Sequence, residues 1–338
     1  MQVLVALALA ACKSNNPASK PADDDSTTPF DTDTTETTDT ATGTAQTTGD
    51  SGPVTDTSVG PPADCKALKD RPLSIRELGR PRGHHGLAFD LDGNVIGLDN
   101  GNLIKVAFDD TFFPWAVGIN TTEQMDWLLD GDLAVADAQN NAIVRIDAAG
   151  IKSPIVTDTY TYGLTVGPNG MIYAANNDVL YEIDPATGQK PLFVPDGPGF
   201  SPRVTAFSPD LTKMYVGNFG GGEIYIIDLD ANLDPIGNPY LFVSGAGAGP
   251  YMDCMAVDEC GILYTCDFSD RVLYRITPGG FISAYIDWNP ISMYGHGVAW
   301  GRGVGGWLET GIYLPQPYDG DTVVEVEIGV RAGKALWP

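Results

Sequence analysis

HGLAFDLDGNVIGLD, residues 85–99, decides how this chain folds. An apolar run, HGLAFD, enters the turn at Leu91-Asp92-Gly93 and leaves it as a second apolar run, NVIGLD. Two short runs rich in β-formers, punctuated by Asp-Gly, read as an antiparallel hairpin. The first run then returns as EQMDWL (123–128), YGLTVG (162–167), RVTAFS (203–208), DCMAVD (253–258) and HGVAWG (296–301), at intervals of 38, 39, 41, 50 and 43 residues. Second strands follow each time, as DLAVAD (132–137), MIYAAN (171–176), KMYVGN (213–218), ILYTCD (262–267) and GIYLPQ (311–316). Third strands come after those: LIKVAF (103–108), AIVRID (142–147), VLYEID (179–184), EIYIID (223–228), VLYRIT (272–277) and VVEVEI (323–328).

A unit of this size cannot bury its apolar faces alone, so six of them must stack. With no long amphipathic helix competing, the chain reads as all-β: a six-bladed β-propeller over residues 65–330, with 331–338 as a tail. The last blade lacks a fourth strand after Ile328, and LSIRELG (73–79) is expected to supply it, closing the ring and covering its edges. DLDANLD (228–234) lacks the glycine and final glutamate of a calcium loop and reads as a hairpin turn. The Asp or Asn that closes the second strands (Asp99, Asp137, Asn176, Asn218, Asp267) reads as turn chemistry. The glycine-rich YGHGVAWGRGVGGW (294–307) reads as a close-packed loop, either bordering the channel mouth or forming a bulge.

The N-terminus is different in kind. MQVLVALALAAC ends in Leu9-Ala10-Ala11-Cys12, and its apolar run of eleven residues at most is well short of the roughly 20 that span a bilayer. Residues 13–64 are rich in Thr, Asp, Ser, Pro and Gly, with TTPFDTDTTETTDTATGTAQTT (27–48) at their centre and ten acidic residues in all. Such a segment cannot offset its ordering entropy and is expected to be a disordered tether, holding its ends roughly 40 Å apart. The net charge of −25, from 19 basic and 44 acidic residues, argues against nucleic acid as a partner. A small-molecule ligand or another protein is expected instead, with the chain a monomer.

Besides Cys12 there are four cysteines, Cys65, Cys254, Cys260 and Cys266. Cys254 and Cys266 fall on adjacent strands of one hairpin, so a bridge there with Cys65 joined to Cys260 is one of three pairings. A thiolate metal site is the alternative, and a poor zinc match without a Cys-x-x-Cys pair.

The first position of the repeats carries the chemistry: His85, Glu123, Tyr162, Arg203, Asp253 and His296. Equivalent positions of innermost strands converge on one axis. Two imidazoles, two carboxylates, a phenol and a guanidinium there suit a divalent metal, Zn or Ca, with His85, Asp253, His296 and Glu123 as ligands. Blades one and six are neighbours, so His85 and His296 are expected to approach one bound ion. The competing reading is a solvated mouth with Arg203 paired to Glu123 or Asp253. If catalytic, the ring would use Asp253 or Glu123 as general base, Arg203 to hold a substrate carboxylate and Tyr162 to donate to an oxyanion. His84, one residue out of register, should point away from the axis. No GxSxG elbow, P-loop or HExxH segment is present.

The N-terminus resembles the lipobox of bacterial lipoproteins, which implies removal of residues 1–11 and a lipid on Cys12. Lys13 after it resembles the sorting preference for an outer membrane, so contact with a membrane would be through the lipid alone. Residues 72–328, with their GLAFDLDGN-type strands, resemble the senescence marker protein, gluconolactonase and luciferin-regenerating enzyme family and related NHL propellers. That resemblance implies a divalent cation at the channel mouth and, for the lactonases, opening of cyclic sugar esters. Its stretch Pro-Asp-Gly-Met-x-Ile-Asp corresponds to Met252–Asp258, making Asp253 a cation ligand. The family's glutamate in the first repeat is His85 here and its asparagine is Arg203. Gly83-His84-His85-Gly86-Leu87 and Tyr294-Gly295-His296-Gly297-Val298 are similar to the zinc-binding histidine contexts of peptidyl-hydroxyglycine lyases, which also place a tyrosine and an arginine near the metal. Two classes therefore stay open: a metal-dependent hydrolase, or less favoured a lyase, and a non-catalytic propeller that binds a ligand or protein.

Overall fold

The structure, a computed structural model, describes residues 64–79, 85–119, 121–194, 199–247, 249, 251–289, 295–316 and 322–333. The expected signal segment, Cys12, the expected tether up to residue 63 and His84 lie outside the described residues. The described chain is all-β, with a short helical turn at Ala138–Asn140.

Twenty-three strands form six antiparallel sheets. The first sheet runs β2 (Ala88–Phe89), β3 (Asn94–Asp99), β4 (Asn102–Ala107) and β5 (Phe112–Val117), and the next three repeats continue through β16 (Tyr240–Val243). The fifth is β17 (Met252–Val257), β18 (Leu263–Asp267), β19 (Val272–Ile276) and β20 (Ile282–Asp287). In the sixth, β1 (Ser74–Leu78) pairs antiparallel with β23 (Thr322–Glu327), outside β22 (Gly311–Gln316) and β21 (Ala299–Trp300). The expected clasp is thus present, held further by Arg76 donating to Glu325 at 2.9 Å and Ser74 to Glu327 at 3.0 Å. The third sheet has three strands, its fourth reduced to a single bridge between Tyr181 and Leu192.

Apolar side chains explain why sheets stack as a ring. Each core cluster joins two consecutive sheets: Ile96 and Leu103 meet Leu133 and Val135, and Ala136 and Ile143 meet Leu164 and Ile172. The circle closes where Phe89, Val95 and Ile104 of the first sheet pack on Trp307, Tyr313 and Val323 of the last. A strand sandwiched on both faces needs apolar residues on both, as in fully buried Leu133, Ala134, Val135 and Ala136. Neighbouring inner strands are also stitched by side chains: Leu164 N–H donates to Gln124 Oε1 at 3.1 Å and Val166 N–H to Asp126 Oδ2 at 2.8 Å.

Cys254 and Cys266 lie directly opposite in β17 and β18 and are bridged, and Cys65 is bridged to Cys260. The 228–234 segment is a turn, with Asp230 accepting from the Asn232 and Asp234 N–H groups. Two of the five strand-closing residues do turn work: Asn176 accepts from the Asp178 and Val179 N–H groups, and Asp267 from those of Ser269 and Asp270.

Candidate active site at the mouth of the ring

Arg203 and Asp253 lie within the inner strands β13 (Pro202–Phe207) and β17, while His85, Glu123, Tyr162 and His296 sit on the approach to theirs. All six are buried, the most exposed being His85 at 8%. The solvated mouth of the competing reading does not describe side chains buried to this degree. Glycines next to ring residues set how tightly it closes. A Cβ on Gly297, whose φ is +59°, would fall 1.7 Å from the His85 carbonyl oxygen; one on Gly86 would fall 2.3 Å from that of Glu123 and one on Gly163 2.2 Å from that of Arg203. Only residues without a Cβ let adjacent inner strands approach this closely.

The six side chains form linked pairs between neighbouring blades. His85 Nδ1 contacts Glu123 Oε2. His296 Nδ1 lies 3.1 Å from Asp253 Oδ2. Arg203 donates from Nε at 2.8 Å and Nη2 at 2.5 Å to Asp253 Oδ1, and from Nη1 at 3.2 Å to Asn177 Oδ1. Of the two ion pairs open to Arg203, the one with Asp253 is made. Its guanidinium carbon lies 3.5 Å from the centre of the Tyr162 ring, a cation–π contact. The imidazoles of His85 and His296, expected to approach one ion, are instead stacked on each other at 4.4 Å and 9°.

These contacts set the charge states. Burial resists ionisation of Asp253, but His296, 3.1 Å away, and the Arg203 charge outweigh it and hold the carboxyl below its ordinary range. Burial holds His296 below the usual imidazole value, against the pull of Asp253. Tyr162 is pushed well up, first by burial and then by the Asp253 charge, so its hydroxyl stays a donor. Among the described residues that hydroxyl has no hydrogen-bond partner of normal geometry. A neutral His296, a permanent cation and a protonated phenol thus share one enclosed mouth.

A divalent cation fits this arrangement poorly. Among the described residues no group of three His, Cys, Asp or Glu side chains could hold a metal ion. Glu123 and Asp253 are engaged with the histidines and Arg203. Parallel imidazoles carry their lone pairs in parallel planes, so His85 and His296 as stacked do not aim at one ion.

The inner strands beyond the ring line a cavity of about 150 Å³, with room for several water molecules. Gln124, Asp126, Thr165, Thr205 and Trp300 contribute to its wall, and His85 reaches it from the ring. A second layer around the mouth escaped the repeat reading: Asn177, Phe219 and Phe268, each immediately after the strand-closing Asn or Asp, with Tyr160 and Tyr251. Phe219 and Tyr251 lie 5.4 and 5.5 Å from the Arg203 guanidinium, and Phe268 packs 4.5 Å from the His296 ring. Tyr160 and Tyr251 remain 37% and 40% exposed. Their signal in the sequence was register with Asn176, Asn218 and Asp267, which turn chemistry alone accounted for.

Residues 195–292, which include Arg203 and Asp253, match the SMP-30/Gluconolactonase/LRE-like region. A gluconolactonase of Zymomonas mobilis is 28% identical over 192 residues, covering 48% of this chain and 52% of that one. The chain thus spans about half the length of that curated relative. A gluconolactonase structure from Xanthomonas campestris superimposes with a TM-score of 0.61 at 17% identity, over 80% of this chain and 98% of the other. Regucalcin from Agrobacterium tumefaciens, a calcium-binding protein, gives 0.61 at 16% identity, over 78% and 96%. This chain is a six-bladed β-propeller whose residues 195–292 are similar to the SMP-30/Gluconolactonase/LRE-like region.

Proposed function

We propose that the ring opens small cyclic esters by general-base hydrolysis. The observation that carries this reading is the His296–Asp253 pair, buried against Arg203 and Tyr162. Asp253 fixes the tautomer that bears a proton on His296 Nδ1, making Nε2 the basic nitrogen. Burial keeps that imidazole neutral at pH 7. His296 then takes a proton from water as its oxygen attacks the lactone carbonyl carbon. The carbonyl becomes an oxyanion, which the Tyr162 hydroxyl and the Arg203 guanidinium stabilise. When the ring C–O bond breaks, His296 returns the proton to the departing alkoxide, giving a hydroxy acid. His85, held by Glu123, stacks on His296 and fixes its plane. The match to a gluconolactonase-like region supports the substrate class. Calcium is not carried over from the regucalcin neighbour, because the side chains it would need here are paired with one another.

The test is pH-stat hydrolysis of a panel of γ- and δ-lactones, corrected for the spontaneous rate. Turnover of at least one lactone, reduced about 100-fold or more in His296→Ala, supports the reading. A folded protein inert toward the whole panel removes it. A second reading, ligand binding without turnover, is favoured by the exposed Tyr160 and Tyr251 at the rim. Saturable binding of a lactone with no hydrolysis would identify it.

A further inference from the structure

We propose that Arg203 takes the place of a bound divalent cation in this mouth, so that the protein's site is metal-independent and its resident charge is a guanidinium. The inference deepens the hydrolytic reading, whose electrophile it names, but it stands on contacts of its own. Asp253 would be the natural anchor for a cation, yet Oδ1 accepts two N–H groups from Arg203 and Oδ2 faces His296 at 3.1 Å. Glu123 is held by His85.

The guanidinium is locked from three sides. Asp253 holds one edge, Asn177 accepts from Nη1 at 3.2 Å, and the Tyr162 ring supports its face at 3.5 Å. Burial opposes its charge, but the neighbouring Tyr162 and Asp253 raise its pKa, so it is a cation at every working pH. A divalent ion entering between these groups would meet that fixed charge before it met a carboxylate. Three of the five guanidinium N–H groups are used by Asp253 and Asn177. The remaining two suit a carbonyl or carboxylate oxygen of a ligand, the position a metal would polarise.

Removing the cation should then expose a latent metal site. The experiment measures Ca²⁺, Mg²⁺ and Zn²⁺ content of the purified protein and titrates each ion by calorimetry into wild type, Arg203→Asn and Arg203→Met. Wild type is expected to carry less than a tenth of an equivalent of metal and to bind none below millimolar concentration. Arg203→Asn is expected to bind at least one of the ions tenfold or more tighter than wild type, with Asp253→Asn in that background abolishing the gain. One equivalent of tightly bound metal in wild type overturns the proposal. So does an Arg203→Asn protein that retains its circular dichroism and binds no better than wild type. If Arg203→Asn does not fold, Arg203→Met is read by the same criteria, and the wild-type result decides alone if neither folds. Because metal binding is the readout, absence of lactone turnover would remove the hydrolytic reading and leave this one intact.

Discussion

At the scale of single residues, the mouth depends as much on what is missing as on what is present. Gly297 has no Cβ because the His85 carbonyl oxygen fills that space, 1.7 Å from where it would stand, and its φ is +59°. Gly297→Ala is expected to destabilise the protein by about 2–4 kcal/mol, read from urea unfolding; a change within about 0.5 kcal/mol would contradict the close approach. Asp258 offers a pH test away from the mouth. Burial pushes its carboxyl up to about 6, against hydrogen bonds from the N–H groups of Cys260 and Ile262 and the Tyr264 hydroxyl. A folded-state value above the unfolded one means that its contribution is fully present below the unfolded value of about 3.9 and is lost as pH rises through about 6. Wild-type thermal stability should therefore lose this contribution between pH 4 and 6, and Asp258→Asn should flatten that part of the curve. An identical pH dependence in the variant would rule the carboxyl out as its source. The composition of the ring was legible because residues of one repeat position must converge. Which charge meets which was not, since Arg203 faced carboxylates on either reading until the distances chose Asp253.

At the scale of elements, β1 was readable as the missing strand because no strand-like pattern follows VVEVEI (323–328). The five residue pairs from Ser74 with Glu327 to Leu78 with Val323 show how it closes the sixth sheet. Removing residues up to 79 should prevent cooperative folding, with a full-length Cys65→Ser/Cys260→Ser protein as the control for the lost disulfide. A truncated product that melts cooperatively would show β1 to be dispensable. The reduced third sheet was less legible: residues 179–184 announce its third strand clearly, but nothing in the pattern showed that its partner shrinks to one bridge at Leu192. Edge strands carry few apolar residues and so little signal. The mouth's second layer was hidden for a related reason. Asn177, Phe219 and Phe268 sit in connections between strands, where period-2 patterning ends and side-chain direction is no longer set by the repeat.

At the scale of the whole molecule, one ring of sheets makes the first and last blades neighbours, which repeat spacing was enough to foresee; that residues 85 and 296 would stack on each other rather than converge on one ion was not legible. The proposed anchoring at Cys12 adds a separate expectation. Metabolic labelling with palmitate in a bacterial host should mark the protein, and Cys12→Ser should abolish the label; an unlabelled protein that reaches the envelope would remove the lipoprotein reading. The central claim, that the ring is a hydrolytic site using a buried neutral His296, is met most directly by the pH profile of kcat/KM on a lactone substrate. Because the His296 pKa lies below the ordinary 6.5, the rate corrected for spontaneous hydrolysis should be flat from about pH 6.5 to 8. It should fall tenfold per unit below a single ionisation in the acid range, and His296→Ala should remove that ionisation along with most of the rate. A rate that climbs with hydroxide across the whole range, unchanged in His296→Ala, would contradict it.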